Sequence, residues 1–231
     1  MRTKYQTKRR AFLRVTAGTA GLTVLFPTLG ETVSRAAEAR GKKRSKAESD
    51  KVTADLDAKS RQFVTIGKKD CQFVHLMVKT AQAKNVLELG TGYGFATIWM
   101  GLALEETGGN LTTVEILADR AQAARKHVAE AGLSERVTFK DGDAHQVVPT
   151  LAGPFDFVFL NADKDGLMDY FQKLYPKKLL PGGLLVAFGA ILRQEKMKDY
   201  LEMITKHPDF DTVGVSATLE DGFAVSYRRR A

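Results

Sequence analysis

The amino-acid sequence predicts an α/β domain built on a doubly wound, mostly parallel seven-stranded sheet that ends in a C-terminal antiparallel hairpin. Two observations carry this. From Asn85 onward, short apolar runs alternate with longer stretches of helical spacing, the pattern of a parallel sheet covered by helices on both faces. The last two apolar runs break the alternation, because only a few residues, Asp221-Gly222 among them, separate one from the next.

The N-terminus stands apart from that domain. Met1 to Asp50 holds 12 Lys/Arg against 4 Asp/Glu and so carries the whole formal charge of +8, while the remaining 23 basic and 23 acidic residues cancel. A neutral body argues against a nucleic-acid partner, which calls for a basic face on the folded domain. The run Arg228-Arg229-Arg230 reads as a solvated end. KRRAFLRV, Lys8 to Val15, leads into TAGTAGLTVLFPTLG, which is too short and too weakly apolar for a membrane span. A basic start, a modest apolar stretch and small residues at Ser34-Arg35-Ala36 or Ala37-Glu38-Ala39 have the layout of a removable export signal. Arg9-Arg10 followed by Phe12 and Leu13 resembles the twin-arginine signal, an address read by the machinery that exports folded proteins. The other reading is a basic amphipathic anchor that is never removed, which would leave the protein cytoplasmic or membrane-attached. Residues 1–39 are therefore expected to be an export signal and 40–61 a charged linker passing into a loosely packed helix. Residues 62–231 are expected to form the domain.

Within the domain, NVLELG (Asn85 to Gly90) is the first strand, and FATIWMGLALEE follows it with helical spacing of Ile98, Met100, Leu102 and Leu104. LTTVEI (Leu111 to Ile116) is the second, and the helix ADRAQAARKHVAEAG after it stops at Gly132, in the place of a terminating glycine. RVTFKDGDA, FDFVFLNAD and GGLLVAFGA supply three more strands, with GLMDYFQKLYPKKL and RQEKMKDYLEMITKH as helices; FDTVGVSAT and GFAVSYRR form the hairpin. Cys71 is a lone cysteine with no partner for a disulfide or a thiolate metal site and reads as a small apolar helix residue. His75, His127 and His207 show no ligand-like spacing.

The chemistry starts where the first strand ends. ELGTGYG places Gly90, Gly92 and Gly94 at a strand-to-helix turn, where the backbone can approach a ligand with no side chain in the way. This is not the dinucleotide fingerprint, since the third glycine of G-x-G-x-x-G would fall on Phe95. Glu88 lies two residues before the first glycine, where a carboxylate would repel a pyrophosphate and suit a cationic ligand. Glu115 ends the second strand, 25 residues after Gly90, where an acid can accept both hydroxyls of a ribose.

With these residues in hand, the chain from about Gln62 to Arg229 resembles the class I S-adenosylmethionine-dependent methyltransferases. Within them it resembles the small O-methyltransferases related to catechol and caffeoyl-CoA O-methyltransferase. The matching segments are VLELGTGYGFATIWMGLAL, TTVEI, VTFKDGDAHQVVPTL, FDFVFLNADKDGLMDYF and LLPGGLLVAFGAIL. The resemblance implies a Rossmann-like fold, S-adenosyl-L-methionine as cofactor and a small-molecule acceptor, and it leaves room for a homodimer. It implies that Glu88, Gly90, Thr91, Gly92, Gly94 and Ala96 hold the methionine end of the cofactor, that Glu115 holds the ribose and that Asp143-Ala144 borders the adenine. His145 either flanks the ring or is a surface histidine at a helix start.

One departure from the family pattern bears on mechanism. The family's magnesium site resembles D-A-D-K after the fourth strand and D-N after the fifth, and here the three ligand positions are Asn161, Phe188 and Gly189. An amide oxygen can be a ligand, but Phe and Gly offer no side-chain oxygen to a metal that needs a near-octahedral oxygen shell. The expectation is an O-methyltransferase without a divalent metal, with Lys164 and Asn161 on the acceptor side. The competing expectations are a protein that binds the cofactor or a nucleoside without turnover, and an RNA methyltransferase. For the N-terminus, changing Arg9 and Arg10 together to lysine should keep the charge yet block export, as checked by fractionating cells. Undiminished protein outside the cytoplasm would rule out the twin-arginine reading.

Overall fold

Strand β1 (Asn85–Leu89) lies at the centre of the sheet, and Val86, Leu87, Glu88 and Leu89 are all fully buried. Helices cover both faces, so the strand is apolar on both sides and carries a single carboxylate. Alternate side chains enter opposite cores. Val86 packs with Phe157, Phe159 and Val186, whereas Leu87 and Leu89 pack with Val158, Leu160 and Leu185.

The structure is a computed structural model that describes residues 44–60, 66–217 and 221–230, and the export signal read at residues 1–39 lies outside them. Strands β2 (Asn110–Glu115) and β3 (Val137–Asp141) extend the sheet on one side of β1, and β4 (Phe155–Leu160) and β5 (Leu179–Phe188) on the other, all parallel. β7 (Phe223–Arg228) pairs antiparallel with β5, and β6 (Phe210–Val215) pairs antiparallel with β7. The order β3-β2-β1-β4-β5-β7-β6 is the Rossmann-like arrangement that the sequence predicts, hairpin included.

Helices α2 (Lys68–Thr80) and α3 (Phe95–Thr107) cover one face, and α4 (Ala118–Glu130) adds Val128 to the same core. α5 (Ala144–Thr150), α6 (Leu167–Leu174) and α7 (Lys198–Lys206) cover the other. α3 is apolar all round because α2 packs on its outer side while the sheet takes its inner side. The charged segment ahead of the domain becomes helical as α1 (Lys46–Ser60), opened by reciprocal hydrogen bonds between Ser45 and Glu48. Arg44 ties its start to the domain through the Ala131 carbonyl (2.6 Å) and the Glu105 carboxylate (3.4 Å).

Some boundaries differ from the sequence reading for local reasons. α6 stops at Leu174, short of the expected end, because Tyr175 precedes Pro176 and takes extended backbone (ψ 141°). The last helix opens with a 3₁₀ turn over Gln194–Met197. α5, only seven residues long, is too short to show a periodic signal. Gly132 does follow α4 with φ +69°, as a terminating glycine should.

The chain winds outward from β1 to β3, then returns to β4 beside β1. A crevice opens at such a reversal, outside the carboxyl ends of the two central strands. There the Asn161 N–H donates to the Leu89 carbonyl (2.8 Å), and the loops after β1 and β4 meet at Gly90. Gly90 has φ +92°, and a Cβ on it would stand 2.6 Å from the Asn161 carbonyl oxygen. Gly90→Ala should therefore cost about 1–3 kcal/mol in strain alone and lower the melting temperature by roughly 5 °C. Thermal unfolding followed by circular dichroism checks this, and an unchanged melt would contradict the close approach.

Candidate active site

The crevice holds a cavity of about 590 Å³, within the size range of small-molecule sites. Its two ends differ in chemistry. One is bordered by the turn after β1 and the end of β2, the other by the loops after β4 and β5.

Glu115 dominates the first end. Its Oε2 accepts the Gly92 N–H (2.7 Å) and its Oε1 accepts the Leu117 N–H (3.0 Å), so two backbone donors fix the carboxylate at the cavity wall. Each oxygen keeps a lone pair for a further donor, which suits a pair of vicinal hydroxyls. Next to it Ile116 and Leu117 line the cavity and are 64% and 44% exposed, an apolar shelf for a flat ring. Asp143 caps α5 by accepting the His145 N–H (2.8 Å) and sets Ala144 at the same wall. The set fits a nucleoside: acid for the ribose, apolar surface for the base.

Glu88 lies behind that wall. It is fully buried, and its Oε2 accepts from Thr97 (2.6 Å) and Thr113 (2.7 Å), while Thr113 in turn bonds Thr91 (2.5 Å). Burial pushes its pKa up to about 8, against the pull of the two threonine hydroxyls. Its Oε1 has no hydrogen-bond partner among the described residues. Of the positions expected to hold the cofactor, Gly90, Gly92, Glu115, Asp143 and Ala144 border the cavity. Glu88, Thr91, Gly94 and Ala96 do not. Glu88 ties the glycine turn to β2 through the threonines. Gly94 (φ +84°) makes room for Ala124 of α4, which a Cβ would meet at 3.1 Å.

Lys164 governs the other end. Its Nζ is buried without a hydrogen bond among the described residues, 5.6 Å from the centre of the Phe188 ring. Burial pulls its pKa down to about 8, although Asp163 and Asp221 oppose the shift. Asn161 lines the same end. Asp163 is committed elsewhere: it accepts from the Tyr170 hydroxyl (2.5 Å) and lies 3.4 Å from His145 Nε2. His145 also bonds Asp169 through Nδ1 and stacks on Tyr170, ring centres 4.3 Å apart. Burial lowers its pKa, but the hydrogen bonds with Asp169 and Asp163 outweigh this and hold it above the ordinary value. His145 thus borders the cavity as an ionic bridge between α5 and the loop and helix after β4.

The residues at the family's metal positions do not fit a divalent ion. Phe188 is 4% exposed and packs on Phe223 (5.3 Å), Gly189 has no side chain, and the Lys164 amine stands beside them. Among the described residues no group of three or more His, Cys, Asp or Glu is arranged to hold a metal.

Two residues at this end were missed by sequence reasoning. Arg193, inside a run read as helix, is folded back over Gly189 by its N–H to the Gly189 carbonyl (2.8 Å), and Asp221 arrives with the start of β7. Both depend on tertiary hydrogen bonds, such as the Gly189 N–H to the Gly222 carbonyl (2.8 Å). No local pattern marks them.

Sheet order, antiparallel hairpin, glycine turn and the acid at the end of β2 together define the class I methyltransferase architecture. A family model described as O-methyltransferase matches residues 41–214, and the chain belongs to this S-adenosylmethionine-dependent O-methyltransferase family. It is 36% identical over 140 residues to a catechol O-methyltransferase of Niastella koreensis, covering 59% of this chain and 62% of that protein. It is 31% identical over 192 residues to a catechol O-methyltransferase of Mycobacterium tuberculosis, covering 76% of this chain and 86% of that one. Thus the match spans somewhat under two thirds of the first relative and most of the second. Among solved structures, the O-methyltransferase TomG from Streptomyces achromogenes, in complex with SAM, superposes with a TM-score of 0.66 at 25% identity, over 86% of this chain and 96% of that one. Glu115→Ala should weaken adenosylmethionine binding by about tenfold or more, because two charge-assisted hydrogen bonds are lost. Titration calorimetry measures this directly, and an unchanged affinity would remove Glu115 from the cofactor site.

Proposed function

We propose that this protein transfers the methyl group of S-adenosylmethionine to an oxygen of a small hydroxylated, phenol-like acceptor, without relying on a divalent metal. The observation that carries the reading is Lys164: a buried amine with no hydrogen-bond partner among the described residues, its pKa drawn to about 8, at the end of the cavity opposite Glu115. When bound, the cofactor supplies an electrophilic methyl group on a positively charged sulfur. Glu115 holds its ribose, the Gly90–Gly92 backbone lies along its methionine end, and Asp143-Ala144 borders its adenine.

The acceptor must give up a proton. A phenol with a pKa of about 10 is ionised to about one part in a thousand at pH 7, a cost of about 4 kcal/mol. Lowering Lys164 from 10.5 to about 8 raises its neutral fraction at pH 7 from about one in three thousand to about one in ten. Neutral Nζ takes the hydroxyl proton, and the ammonium so formed stays beside the oxygen it deprotonated. Asn161 offers a neutral amide to the same hydroxyl. Orientation of that oxygen against the methyl group supplies about 7–11 kcal/mol, so transfer does not require a metal. For the N-terminus, the twin-arginine pattern supports export of the folded protein.

Methyl transfer to phenols should survive dialysis against EDTA and be indifferent to added magnesium. Because the protonated amine cannot act as base, kcat/KM for the acceptor should fall as pH drops below about 8 and level off above it. Lys164→Ala should slow transfer by roughly 100-fold, with adenosylhomocysteine affinity retained. Loss of activity on chelation and its return with magnesium would refute the metal-free reading.

A further inference from the structure

The charged groups at the acceptor end are unequally paired. Four charged groups line it: Lys164, Arg193, Asp163 and Asp221. Asp163 is taken by the Tyr170 hydroxyl and by His145. Asp163 and Asp221 both act electrostatically on Lys164 and oppose the loss of its charge. Arg193 lines the cavity with no hydrogen bond or ion pair from its guanidinium among the described residues. Neither carboxylate therefore holds the Arg193 guanidinium in an ion pair, and it is left to pair with a ligand in the cavity.

Its position is built. A Cβ on Gly189 would stand 3.2 Å from Cε of Lys164 and 3.3 Å from Cγ of Arg193, so the stems of both cations converge on one glycine. Gly189 has φ +92°, and its carbonyl accepts the Arg193 N–H (2.8 Å), which returns the chain over the glycine. Phe188, immediately before, places an apolar ring beside Lys164.

From this we infer that the acceptor is an acid, an aromatic or similarly planar compound whose carboxylate pairs with Arg193 while its hydroxyl faces Lys164. The inference rests on the reading above that this is the acceptor end. A guanidinium fork matches a carboxylate through two parallel N–H···O bonds, a geometry that an ammonium cannot offer. The pairing also serves the base. A bare carboxylate near Lys164 would raise the lysine's pKa and empty its neutral form, and Arg193 cancels that charge. The hydroxyl then loses its proton to Lys164, its oxygen bonds the methyl carbon, and the carbon–sulfur electron pair stays on sulfur as the thioether.

The test is calorimetry on the full chain saturated with adenosylhomocysteine, titrated with 3,4-dihydroxybenzoate, its methyl ester and catechol. The acid is expected to bind about tenfold tighter than either neutral compound, and Arg193→Gln to bring it down to their level. Arg193→Lys should restore part of the difference, since it returns the charge without the fork. In methyl-transfer assays Arg193→Gln should raise the KM for the acid by about tenfold. Equal binding of acid and ester, binding of none of the three, or an Arg193→Gln effect that is the same on all three would overturn the inference. A protein that prefers the acid through Arg193 yet transfers no methyl group would support the inference and count against the function proposed above.

Discussion

The loops after β1 and β4 lie in backbone contact, and the rest of the site is arranged around that contact. No side chain fits at Gly90, because the Asn161 carbonyl occupies the place of its Cβ, and the Asn161 N–H is bonded to the carbonyl of Leu89. The turn after β1 and the end of β2 border one end of the cavity, and the loop after β4 brings Asn161 and Lys164 to the other. Holding the two loops together sets the separation between a bound nucleoside and whatever stands beside Lys164. Because transfer between two bound partners gains chiefly from fixed geometry, this one tight contact links the fold to the chemistry.

Around it, residues of the same type do different work according to what surrounds them. Glu88 and Glu115 both end up near the glycine turn. Glu115 is held by two backbone N–H groups at the cavity wall, while Glu88 is closed off with threonine hydroxyls and pushed up to about 8 by burial. One stands at the cavity wall; the other ties β1 to β2 and to the start of α3. The cations divide in the same way. Lys164 is shut away from water and drawn toward neutrality, whereas Arg193 is exposed, and the stems of both lie against Gly189. Where the family pattern has the oxygen ligands of a metal, this chain has Asn161, Phe188 and Gly189, with Lys164 and Arg193 beside them.

The His145 cluster joins the two ends. His145 borders the cavity on the nucleoside side and bridges Asp169 and Asp163, and Asp163 immediately precedes Lys164. Stacking on Tyr170, whose hydroxyl bonds the same Asp163, keeps the imidazole in place. The loop after β4 is thus braced by ionic hydrogen bonds from two helices and does not hang free in the cavity mouth.

By itself the sequence determined the sheet, its closing hairpin and those residues bordering the cavity that lie within single loops. Gly90, Gly92, Glu115 and Asp143-Ala144 could be read because each sits at the end of a strand whose apolar run is itself legible, so neighbours along the chain remain neighbours in space. What tertiary structure alone decided was direction and company. Glu88 turns into the core because its place in the β-strand alternation puts it on the face covered by α3, where Thr97 and Thr113 receive it. His145 meets Asp163 and Asp169 across two elements, and Asp221 reaches Lys164 only because β7 inserts between β5 and β6. Arg193 enters the cavity because Gly189 adopts a left-handed turn that folds the chain back, a consequence of hydrogen bonds to Asp221 and Gly222 far along the sequence. Periodicity and spacing report which residues share an element. They carry no information about which elements a turn or a strand insertion will bring face to face.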